Sequence, residues 1–230
     1  MTQQLEVLNT GTHRSLRMHA SGGGEHPHFV AIAMNEFPAA ATVCPIFFAK
    51  DSVTGEFYAA AMFGFRPGEL LVEGAEKDDA PFRPLDLQRQ GFFIADQHIA
   101  IDPTHPRFGA GAAIALFDED GEPSEALRQV QRAIGHLKTG MDATRDFLRE
   151  LLRLKLVEPI DVSLRFDDGE KLQLDGLYTV SRDALGDLED AQALALFRSG
   201  HLQAAYCVVF SLNQVGVLAR RRNERLAAKL

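Results

Sequence analysis

Residues 160–180 read IDVSLRFDDGEKLQLDGLYTV, and this stretch decides the fold class. Apolar and polar residues alternate on both sides of Asp168-Gly169, the period of two that a half-buried strand requires, and an Asp-Gly pair suits a tight turn. A β-hairpin is expected here. Its apolar face must be covered by another layer, and the flanking residues supply helices.

Upstream, SEALRQVQRAIGHLK (124–138) sets Leu127, Val130, Ile134 and Leu137 at spacings of three and four, with Ser124 as N-cap. DATRDFLRELLRLKLV (142–157) repeats the pattern with Asp142 as cap and Phe147, Leu148, Leu151, Leu152 and Val157 inward, ended by Pro159. The two segments predict an antiparallel helical pair. Downstream, SRDALGDL and DAQALALFRSG predict helices, the second closed by Gly200. HLQAAYCVVFSL (201–212), long, apolar and β-branched enough, is expected as a central strand, and a terminal helix is expected from Asn213 with RRRNER on its solvent side.

The first half is expected to be β-rich. HFVAIAM, PIFFAK, EFYAAAMFGF, ELLVEG, GFFIA, HIAID and AAIALFD are short apolar runs separated by Gly, Pro and Asp. The predicted class is therefore α+β: a mixed or antiparallel β-rich first half, a helical pair, a hairpin, a central strand and a terminal helix. Residues 1–27, which end in HASGGGEHP, are expected to form a flexible lead, and 28–230 a single domain.

Composition narrows the function. With 46% apolar residues the 230-residue chain can build a packed core. Its 24 Lys and Arg against 32 Asp and Glu leave a formal charge of -8, which argues against nucleic acid or an anionic membrane as partner. No run approaches a membrane span and the first residues lack a secretory apolar region, so a cytoplasmic location is expected. Cys44 and Cys207 each lie in an apolar run and are expected to be reduced and buried.

Four titratable residues crowd ADQHIAIDPTHPRF: Asp96, His98, Asp102 and His105. If QHIAID is a strand, His98 and Asp102 share a face. The spacing matches no defined metal motif, and DPTHP reads as a turn, so no metal is expected; His98, Asp102 and His105 are the set a metal would use. FDEDGEPSEAL is not a calcium loop, because alignment on Gly121 puts Leu116 at the first ligand position, and FGAGAA fails the dinucleotide fingerprint at Ile114. Neither cysteine has a thiolate-stabilising neighbourhood, and no cofactor is expected. Glu36, beside the core run that begins at Pro45, is expected to bond the backbone of its own turn or to pair with a base such as Arg89. Arg221, Arg222 and Arg225 are expected to form an exposed basic ridge for an acidic partner.

The order of segments from about His28 to the C-terminus resembles the bacterial SapC family. The likeness is carried by NEFPAAATVCPIFF, ALFDEDGEPSEAL, LLRLKLVEPIDVSLRFDDGEKLQLDGLYTV and LFRSGHLQAAYCVVFSL. Where relatives have an aromatic and arginine-rich stretch, this chain has PLDLQRQGFF, keeping Pro84, Leu87, Arg89 and Phe92. The resemblance implies a helper or modifying role beside flavin-dependent halogenase-like proteins and cupin-like iron and 2-oxoglutarate oxygenases, and it transfers no catalytic residues. The expected function is a non-catalytic accessory protein that binds a peptide or protein partner through a groove on its sheet, where a strand edge could take an extended peptide, with Arg89, Phe92, Arg221, Arg222 and Arg225 as candidate contacts. The alternatives are an iron-dependent oxygenase using His98, Asp102 and His105, and a surface-layer component.

Overall fold

The structure is a computed structural model that describes residues 5–20, 27–72 and 82–228. Its elements run β1 (Glu6–Val7), α1 (Thr10–His13), β2 (Arg17–Met18), β3 (Phe29–Ala31), α2 (Phe37–Ala40), β4 (Ile46–Lys50) and β5 (Phe57–Met62), then α3 (Leu85–Gln88), β6 (Phe92–Ala95), β7 (His98–Ile101) and β8 (Ile114–Ala115). They continue as α4 (Glu125–Arg153), β9 (Val157–Arg165), β10 (Lys171–Val180), α5 (Arg182–Gly186), α6 (Asp190–Ser199), α7 (His201–Ser211) and α8 (Asn213–Ala227). Helices and antiparallel sheets give the α+β class that the hairpin and its neighbours predict.

The chain gathers into two compact units, residues 1–25 with 76–139, and residues 26–75 with 140–230. This differs from one domain preceded by a flexible lead: residues 6–18 hold two strands and a helix. Asn9 caps α1 by accepting the Thr12 N–H at 2.9 Å, and β1 and β2 pair with β7 and β8. A polar, glycine-bearing segment reads as loop when its strands are two residues long, because periodicity has no room to appear. The glycine run and His26 lie outside the described residues.

In the first unit, β1, β7 and β6 form an antiparallel sheet and β2 pairs with β8. Met18, Phe92, Ile101, Leu116 and Phe117 are buried with Leu127, Val130 and Ile134 of α4, whose three-and-four spacing is the predicted stripe.

In the second unit the sheet order is β3-β5-β4-β10-β9, antiparallel throughout, with β9 and β10 in the expected hairpin. Phe147 of α4 packs edge-on against Phe37 and Phe48 at centroid distances of 5.8 and 6.1 Å. Residues 69–72 of ELLVEG form no strand; Leu71 is held by a hydrogen bond from its N–H to the Phe63 carbonyl at 2.7 Å. Residues 73 and 74 lie outside the described residues.

Two further elements depart from expectation. The predicted helical pair is one helix, α4, unbroken through Gly140 and Asp142. Gly140 serves close approach: a Cβ there would lie 2.5 Å from Asn35 Oδ1 and 2.7 Å from the Ala33 Cβ. The predicted central strand 201–212 is α7. Gly200, at φ 79°, caps α6 and turns the chain directly into α7, where Ala204, Ala205, Val208 and Ser211 face inward at helical spacing. Only Val208 and Val209 are β-branched in that run, too few to favour a strand over a helix.

Candidate functional site

Of the acid and histidine group in the first unit, His98 begins β7 with its side chain exposed, and Asp96 sits at φ 55° in the β6–β7 turn. Asp102 follows β7 and accepts the Thr104 hydroxyl at 2.6 Å and the Thr104 N–H at 3.0 Å. The threonine hydroxyl, ahead of its N–H and the nearby His105, holds the Asp102 carboxyl below its ordinary range. His105 Nδ1 accepts the Arg107 N–H at 3.1 Å. Burial pushes the His105 imidazole down, Asp102 opposes that, and Arg107 adds to it. These bonds make a capped turn, and among the described residues no three His, Cys, Asp or Glu side chains converge as metal ligands.

The other sequence candidates divide. Arg89 caps α3, paired with Asp86 and donating to the Phe92 carbonyl at 3.2 Å. Phe92 is wholly buried in the core, so it packs and offers no surface. Glu36 is structural as expected: its Oε2 accepts the Ala33 N–H at 2.8 Å. Cys44 is buried, donates weakly to the Ala40 carbonyl at 3.4 Å, and its thiol pKa is pushed up by burial; Cys207 is only half-buried, contrary to expectation, because α7 turns it toward its boundary face.

In the second unit, α8 carries the arginines. Arg222 is buried rather than exposed, with its guanidinium 4.1 Å from the Phe166 ring centre, 2.8 Å from Glu170 and 3.5 Å from Glu69. Arg66 pairs with the same Glu170. Arg221 donates to the Leu71 carbonyl at 3.2 Å and Arg225 to that of Leu70. The expected ridge is therefore largely a clamp that ties the 63–72 segment to α8, beside a cleft of about 370 Å³. The reason is geometric: a helix residue that faces two glutamates, Glu69 in that segment and Glu170 at the β9–β10 turn, is drawn inward however polar it is.

A surface that the sequence reading missed lies on α6 and α7. Leu194 and Phe197, three apart on α6, are 47% and 70% exposed; Tyr206 and Phe210, four apart on α7, are 43% and 62% exposed. The Tyr206 and Phe210 rings stack at 5.7 Å. Helical spacing of aromatics in HLQAAYCVVF would have revealed this face had the segment been read as helix. Contrary to the expectation that no run approaches a membrane span, the helical run 201–227 meets those dimensions by length and hydropathy; 33% of its apolar window is buried, with Ala205, Val208, Ser211 and Leu218 turned into the unit's core. Ser211 Oγ accepts the Ile46 N–H at 2.8 Å, tying α7 to the sheet.

No curated protein and no solved structure matches the chain. A family model, SapC, matches residues 8–218, beginning well ahead of His28 and so taking in the structured segment before it. The match spans both units, from just after β1 into the first turns of α8, and on that coverage the chain belongs to the SapC family.

Proposed function

We propose that this chain is a non-catalytic, cytoplasmic accessory protein that binds a protein or peptide partner through the outward face of α6 and α7. The observation that carries the reading is the exposure of Leu194, Phe197, Tyr206 and Phe210 on those two helices. Each large ring left in water forgoes roughly 1.5–3 kcal/mol that burial would contribute, so folding alone gives no reason for aromatic residues there. Exposed aromatic and aliphatic groups beside a rigid core are the usual anchors of protein interfaces. Ser211, Ala204 and Ala205 fix α7 on the sheet, which presents the rings in a preorganised arrangement. A halogenase-like or cupin-like oxygenase is the partner class that the family's setting suggests. The oxygenase alternative is less favoured, because Asp102 and His105 are engaged in their own turn.

Titration of the purified protein against candidate partners of those two classes, by calorimetry, tests this. Phe197→Ser with Phe210→Ser is expected to leave the fold intact and weaken binding at least about tenfold, the loss of one good anchor. Equal affinity of variant and parent, or association of the parent with lipid vesicles in place of any protein, would remove the basis for the proposal.

A further inference from the structure

Arg107 is only 3% exposed, yet among the described residues no carboxylate pairs with it. Its Nη1 donates to the carbonyl oxygens of Gln88 at 2.6 Å and Gln90 at 2.9 Å, and its guanidinium lies 5.3 Å from the Phe92 ring centre. Its Nε–H is buried with no partner among the described residues. A buried guanidinium held only by dipoles and a ring face retains a net positive charge, and an unmet N–H there is costly. The residue also borders a cleft of about 380 Å³ with Arg83, Gln88, Gln129, Met18 and Val130 on its walls. Burial, with the nearby charge of Arg83 second, lowers the Arg107 pKa to about 10.

We propose that this cleft in the first unit binds a small organic anion, its carboxylate or phosphate head taken side-on by the Nε edge of Arg107 and its apolar body lying against Met18 and Val130. A planar guanidinium matches both head groups, and a bidentate contact satisfies the orphaned donor and neutralises the buried charge together. Gln88 and Gln129 add neutral amides that can bond the head without cancelling the attraction. The cleft is large enough for a short acyl or aromatic body. It stands apart from the α6–α7 face in residues and in chemistry.

The test is thermal stabilisation and calorimetry of the full chain with hexanoate and with inorganic phosphate, at constant ionic strength set by chloride. Saturable millimolar-range binding is expected from at least one probe: hexanoate alone identifies a carboxylate site, phosphate alone a phosphate site, and both a general anion site. Arg107→Gln should abolish binding. Because that variant also loses two carbonyl bonds, Gln129→Glu provides the second arm: it keeps Arg107 and the fold, places an internal carboxylate in the cleft, and should weaken binding about tenfold. Binding of neither probe, or binding that Gln129→Glu leaves unchanged, would overturn the proposal.

Discussion

Along α8, Arg220, Arg221, Arg222 and Arg225 meet different surroundings although their side chains are the same. Arg220 faces solvent, 3.9 Å from Glu224, whereas Arg222 is enclosed between Glu69, Glu170 and the Phe166 ring. Replacing a cation that two carboxylates share leaves those charges uncompensated. Arg222→Met is expected to lower stability by about 2–3 kcal/mol in urea unfolding, under the roughly 3–5 kcal/mol of a fully buried pair because Glu170 keeps Arg66. Arg220→Ala should stay within about 0.5 kcal/mol. His201 gives a pH test. Burial lowers its pKa from the ordinary 6.5, against the raising effects of Glu150 and Asp146, so the folded protein holds fewer protons there than the unfolded chain. Stability from this group is present above 6.5 and is lost as pH falls below that value towards the lowered folded value. His201→Phe, which keeps a ring against Phe147 at the present 5.5 Å centroid contact, is expected to flatten the melting-temperature profile over that acid range. An unchanged slope would assign the acid sensitivity to other groups. The cysteines separate likewise: under native conditions a thiol reagent should modify Cys207 well before Cys44, which is fully buried.

At the scale of elements, Gly140 sets helix propensity against packing. Alanine in a helix interior is favoured over glycine by about 1 kcal/mol, but its Cβ would enter the space held by Asn35 and Ala33 in the second unit. The contact is expected to prevail, so Gly140→Ala should destabilise by about 1–2 kcal/mol in the same urea assay, and a stabilised variant would mean that the Asn35 segment yields freely. The same glycine explains part of what sequence pattern conceals. Gly140 and Asp142 resemble a helix stop and a new cap, yet they lie within α4, because a glycine required for a neighbour's backbone looks like one required for a turn. The hairpin at Asp168-Gly169, the α4 stripe through Leu127 and Ile134, the Glu36 turn and the α6 stop at Gly200 were legible, since each depends on local spacing or a single cap. Segment 201–212 was not, because a buried helix and a buried strand share an apolar composition and only its neighbours decide. The inward turn of Arg222 depends on Glu69 and Glu170, far off in sequence, and no local rule reaches it.

For the whole molecule, the two units carry different chemistry: a buried arginine beside a cleft, with no carboxylate partner among the described residues, in the first, and exposed rings on packed helices in the second. The proposed partner face lies in the second. Local amide exchange reports directly on where a partner sits, because binding slows opening of the backbone it covers. Hydrogen exchange of the full chain, read with and without a bound candidate partner, is expected to slow across residues 194–210 while the β9 edge from Val157 to Arg165 exchanges as before. Protection confined to β9, with α6 and α7 unchanged, would contradict the account and place the partner on the sheet edge.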